Sequence, residues 1–181
     1  MSYIEISDPV IYTPSLVSVP ERWAKSSFKD LNFIGRDSLK KFVENYLVSF
    51  ESNGCDSLLF YPNDFGYQLL ISLYKEVASR ITIDSYRFIN WTEYAGSLKG
   101  MRKDADKFVQ TDLFDVNFVF IIDLADSNGD LEYFVKILMQ CYINGTKLIA
   151  ATRLSEDYIL DKLPQEVIGI YEKKIGGVKI S

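Results

Sequence analysis

Three groups of residues in this 181-residue chain have types and spacing that could do chemistry. The first is Phe65, Gly66, Tyr67 and Gln68 in the stretch LLFYPNDFGYQLL. An apolar run of strand formers breaks there at Pro62, Asn63 and Asp64, and the amphipathic segment LISLYKEVASR follows at once. Strand, tight turn, helix is the setting of a phosphate-binding loop. Such a loop follows G-x-x-x-x-G-K-[ST]: glycines let backbone N–H groups face phosphate, a lysine meets the β/γ charge, and a hydroxyl holds magnesium. Gly66 stands for the glycine before the helix, but Tyr67 holds the lysine position and Gln68 the hydroxyl position. The turn is also about one residue short of that pattern. Phe65 and Tyr67 have two readings: rings that fill the space of a nucleotide, or ordinary core at a helix start.

The second group is Asp123, which ends the run NFVFIID. Open α/β sheets place ligand groups at strand ends of this kind. A nucleotide hydrolase would end the strand in two adjacent acids, one holding magnesium through water and one polarising the attacking water. Asp123 supplies the first and Leu124 replaces the second. An aspartate that caps neighbouring backbone accounts for the position equally well. The third is Arg153, the one cation where the strand ends meet, at the close of KLIAATR. Pairing with Asp123 or solvent is its ordinary role. Contact with a partner's acid or a phosphate is the sharper one.

Other constellations fail on spacing. Asp126, Asn128 and Asp130 alternate like calcium ligands, yet Leu131 and Ile137 stand where an EF-hand needs glycine and a carboxylate. Turn and cap roles explain them better. A phospho-acceptor role for Asp123 lacks the acidic pair after the first strand and a lysine at a late strand end. Cys55 and Cys141 are far apart and read as two reduced, buried thiols in a cytoplasmic protein. Histidine is absent, which removes the commonest general base and metal ligand. No metal site is expected.

These groups need a frame. DSLKKFVENYLVSF carries apolar residues at helical spacing, with Asp37 as a cap and Gly54 as the stop. Strands follow at 57–61, 85–91, 117–123 and 147–153, with GGVKIS as a terminal one. Helical patterns cover about 65–80, 92–101, 105–114 and 131–144, the last ended by Gly145; a short helix is capped by Ser155, and a last turn or two follows in PQEVIGIYEKK. Strands alternating with helices imply an α/β fold, a five-stranded parallel sheet with helices on both faces. Residues 1–30, punctuated by Pro9, Pro14 and Pro20, read as an extended arm, and 31–181 as the domain. Apolar content of 48% is globular, and no apolar window is long enough to span a membrane. A net charge of −5 leaves out the basic footprint of a nucleic-acid binder, so DNA binding is expected to be weak or absent.

The order of these pieces resembles the AAA+ domain of bacterial replicative helicase loaders of the DnaC type, a relative of initiator and transposition ATPases. The resemblance runs from about Val19 to Ser181: LLFYPNDFGYQLL is similar to the Walker A strand, loop and helix, VFIIDL to the Walker B strand, and KLIAATRLSEDYI to the sensor-1 strand and its helix. It implies a P-loop NTPase-like three-layer sandwich with a vestigial nucleotide pocket at Phe65, Gly66, Tyr67, Gln68, Asp123 and Arg153. The departures fall on the chemistry. Tyr67 and Gln68 replace lysine and a hydroxyl residue, Leu124 the second acid, and Arg153 a polar sensor asparagine; IGIYEKK lacks the serine–arginine pair of an arginine finger. The arm leaves no room for the family's helicase-binding domain. The resemblance therefore implies a protein that is not an enzyme, with no catalytic residues and no cofactor. It would bind a replication protein: an AAA+ ATPase, a helicase loader or the replicative helicase. The alternative is a loader-like protein that holds nucleotide without hydrolysing it.

Overall fold

A computed structural model describes residues 3–6, 17–20, 25–50, 57–61, 64–80, 86–100, 116–126 and 130–179. The expected helix at 105–114, the Gly54 stop, Cys55 and Asn128 lie outside them. In chain order the elements are β1 (Tyr3–Ile6), β2 (Val17–Pro20), α1 (Asp37–Phe50), β3 (Ser57–Tyr61), α2 (Asp64–Ala78), β4 (Tyr86–Asn90) and α3 (Trp91–Gly100). Then come β5 (Phe118–Leu124), α4 (Leu131–Asn144), β6 (Lys147–Thr152), α5 (Glu156–Lys162), α6 (Gln165–Lys174) and β7 (Ile175–Lys179).

The sheet is parallel throughout, in the order β4-β5-β6-β3-β7. The five strands read from the sequence are not equivalent. Four of them make the body of the sheet, and β7 runs along the outer edge of β3. Because β6 lies between β3 and β5, the two strands carrying the phosphate-loop and acid positions are not neighbours. Any link between those positions must cross β6.

Alternation along each strand builds two core layers. Leu58, Phe60, Tyr86, Phe88, Phe118, Phe120, Ile122, Ile149 and Ala151 face α1 and α2. Leu59, Ile89, Val119, Ile121, Leu148 and Ala150 face the other side, against α3, α4, α5 and α6. Strands covered on both faces need side chains that are apolar on both faces, which is why FVFIID lacks polar alternation. Leu69, Leu70, Ile71, Leu73 and Val77 of α2 are fully buried, so this helix is the central one of its layer.

Local chemistry sets the boundaries. Gly145 takes a left-handed φ of 72° and ends α4, and Ser155 accepts the Tyr158 N–H at the start of α5. Within the N-terminal arm, the described pieces Tyr3–Ile6 and Val17–Pro20 pair antiparallel as a two-stranded sheet. The segment after Pro164 is longer than a turn or two of helix, since α6 runs ten residues. No described helix is long and apolar enough to cross a membrane.

Candidate functional site

The C-terminal ends of β3, β5 and β6 and the first turns of α2 and α3 frame the site. Helix α2 begins at Asp64, so only positions 62 and 63 separate it from the last residue of β3. A phosphate loop needs a run of loop amides at that point. Here Gly66 lies inside the first helical turn, not before the helix, and Tyr67 and Gln68 follow it there.

Tyr67 is fully buried, at 0% exposed. Its helix packs over β5 and β6, which carries the phenol across β6 to the end of β5. The hydroxyl donates to Asp123 Oδ1 at 3.1 Å. Thr92, in the first turn of α3, donates to Asp123 Oδ2 at 3.3 Å. Both oxygens of the strand-end acid are therefore engaged by uncharged donors of the chain itself. The Asp123 guanidinium partner expected from sequence sits one step away. Arg153 lies with its guanidinium 5.4 Å from the Tyr67 ring centroid, a cation–π contact. Burial pushes the Tyr67 phenol far above its ordinary pKa, and the Asp123 charge pushes it further, with Arg153 opposing. At neutral pH the group is a protonated donor, with cation and anion on either side of it.

The backbone of Asp123 is unusual too. Its φ is 60°, the one positive value at a described residue other than glycine, and the β5–β6 register shifts between Ile121 and Leu124. Aspartate tolerates this region better than most residues. After the irregularity Leu124 is fully buried in the core of the other face, with Val119 and Ile121. The second-acid position thus points away from the site.

Of the remaining sequence candidates, Phe65 turns elsewhere. Its ring meets Phe33 edge-on at 5.5 Å, and the Arg36 guanidinium covers it at 4.3 Å. Two residues apart on a helix, side chains diverge by about 200°, so Phe65 and Tyr67 do not share one space. Gln68 is half-buried and its carbonyl accepts from Ser72. The structure brings together Tyr67, Asp123 and Arg153, and adds Thr92, which sequence reasoning did not single out. Asp126 is a tie, not a calcium ligand: its Oδ1 accepts the Leu131 N–H at 3.4 Å and its Oδ2 the Tyr158 hydroxyl at 2.8 Å. Asp130 precedes α4 without a side-chain cap bond. Among the described residues no group of His, Cys, Asp and Glu could hold a metal ion.

No protein-family model and no curated protein matches this sequence. Solved structures do match in fold. The crystal structure of the DnaC helicase loader aligns with a TM-score of 0.70 at 14% identity, over 90% of this chain and 100% of that one. The DnaI structure aligns with a TM-score of 0.64 at 19% identity, over 90% and 95%. A DNA replication initiation factor aligns with a TM-score of 0.58 at 16% identity over 87% of this chain, which spans 50% of that longer one. The fold is thus similar to that of the DnaC helicase loader, the likeness that the motif order implied.

Proposed function

We propose that the chain is a non-catalytic AAA+-like protein that acts as a binding partner or regulator in DNA replication or its initiation. One observation carries the non-catalytic half: a buried phenol, bonded to Asp123, stands where the family pattern has its phosphate-binding lysine. Without that lysine, a hydroxyl at Gln68 or an acid at Leu124, phosphate and the attacking water lose their ligands, and magnesium keeps only Asp123, whose two oxygens are engaged by Tyr67 and Thr92. The replication half is supported by fold likeness to helicase loaders and to an initiation factor. In this reading the partner is an AAA+ ATPase, a helicase loader or the replicative helicase, met in the cytoplasm. With a net charge of −5, few DNA phosphates can be neutralised, so direct DNA binding is weak.

Two measurements test the proposal. Titration with a fluorescent ATP analogue and magnesium is expected to show no saturation below millimolar concentration. Saturation at micromolar concentration overturns the closed site and favours the nucleotide-holding alternative. Affinity capture from the native cell is expected to bring down a replication ATPase, loader or helicase. Capture of stable partners that include none of these overturns the replication role.

A further inference from the structure

Four consecutive residues at and just beyond the end of β5 are held by five side chains from four other elements of the fold. Asp123 accepts from Tyr67 and Thr92. The Leu124 carbonyl accepts from the Thr152 hydroxyl at 2.7 Å, and that same hydroxyl takes the Leu154 N–H at 2.9 Å. The Ala125 carbonyl accepts the Trp91 indole N–H at 2.8 Å. Asp126 accepts from Tyr158. The donors come from α2, α3, β6 and α5, so helices on both faces of the sheet converge on one strand end. Trp91 and Tyr67 are buried, at 1% and 0% exposed, and Thr152 is buried at 1%. Their bonds are shielded from competing water.

A left-handed aspartate at a register irregularity is a backbone that persists only when its surroundings determine it. Five side-chain donors supply that determination here. We infer that the Asp123–Asp126 rim is permanently ordered by the chain's own hydroxyl and indole donors, so that no nucleotide is needed to order it and none switches it. The domain would then present one surface at its strand ends at all times, with exposed Arg153 beside it. Its binding to a partner would follow from concentration alone, not from the nucleotide state of this chain. The inference rests on the reading of the strand-end site as closed to nucleotide.

Amide hydrogen exchange on the whole chain tests it, with and without millimolar magnesium-ATP, for the native sequence and for Tyr67→Phe and Thr92→Val. Thr92 is exposed, so its variant keeps the core if Tyr67→Phe unfolds. The expected result is that magnesium-ATP leaves exchange over 121–126 of the native chain unchanged. Each folded variant, by contrast, speeds exchange there by roughly tenfold, with α4 unaffected, as for a local opening. Native exchange slowed by magnesium-ATP overturns this inference and the closed site together. Native exchange blind to nucleotide, with both variants also unchanged, overturns the inference alone and leaves the non-catalytic reading standing.

Discussion

The hydroxyl of Tyr67 on α2 meets the carboxylate of Asp123 on β5 at 3.1 Å, although β3, the strand that leads into α2, is not adjacent to β5 and the two residues are 56 positions apart. A phenol has reached over β6 to the one acid at the end of β5. The consequence is a site whose anion is occupied from within, and whose cation, Arg153, rests on the ring that occupies it.

Restoring the lysine alone should not restore nucleotide binding. In Tyr67→Lys the helix still starts at Asp64, so loop amides to cradle phosphate remain missing, and Leu124 still faces the core. The expected outcome is no saturable binding of magnesium-ATP below millimolar concentration by calorimetry. The same change removes a fully buried ring, which costs about 3–5 kcal/mol if the site does not collapse. Micromolar binding by this single variant would show that the loop was never the obstacle.

Substitutions at Asp123 should rank by backbone as well as by hydrogen bonding. Asparagine tolerates the left-handed region and keeps an acceptor, so Asp123→Asn should cost least. Asp123→Ala loses both bonds, each about 1 kcal/mol, and has no local preference for positive φ. Asp123→Val adds a β-branched side chain in a region it scarcely occupies, at a further 1–2 kcal/mol or about that. Urea unfolding midpoints should fall in that order. Valine tolerated as well as asparagine would mean that the backbone there is not held at positive φ.

Alkaline pH should weaken the fold. Burial raises the Cys141 thiol from 9.0 to about 12, and burial likewise raises the Tyr67 and Tyr94 phenols. In each case the folded chain keeps a proton that the unfolded chain has released. The stability these three groups contribute is therefore fully present below pH 9 and is lost as pH rises toward 12, by about 1.4 kcal/mol per pH unit for the thiol alone, with the tyrosines adding above about 10. Cys141→Ala should delay the onset to about pH 10, whatever it costs in packing. Denaturant melts across this range check both the sign and the window; stability that is flat to pH 11 or about there refutes the burial of all three.

We propose two surfaces for the partner contact: the strand ends beside Arg153, and the N-terminal segment, which carries the apolar residues Ile4, Ile6, Val10, Ile11 and Leu16. Arg153→Glu reverses the exposed charge at the strand ends, and deletion of residues 1–20 removes the paired strands Tyr3–Ile6 and Val17–Pro20. Each change is expected to weaken the captured complex by about tenfold, or 1.4 kcal/mol, in a binding titration. If neither does, the contact lies elsewhere on the domain.

The sequence by itself determined the alternation of strands and helices, because apolar runs such as FVFII and periodic stretches such as LEYFVKIL can bury themselves in only one way each. It also determined the identity of the motif positions, since the order of LLFY, VFIIDL and KLIAAT along the chain survives any detail of packing. The Ser155 cap and the Gly145 stop were legible for the same reason: capping depends on neighbours within a few residues. What the site contains was decided elsewhere. Strand order is a property of long-range pairing, and only the placement of β6 between β3 and β5 tells that Tyr67 must cross a strand to meet Asp123. The divergence of Phe65 from Tyr67 follows from where α2 starts, and a helix start two residues after a strand is invisible to a pattern that expects a loop there. Trp91 and Thr92 lie in no motif, and Thr152 and Tyr158 sit inside KLIAATRLSEDYI with no role marked there. They became partners of Asp123–Asp126 because the sheet gathers strand ends and helix starts on one rim, where hydrogen bonds of fixed length choose among residues that the sequence keeps far apart.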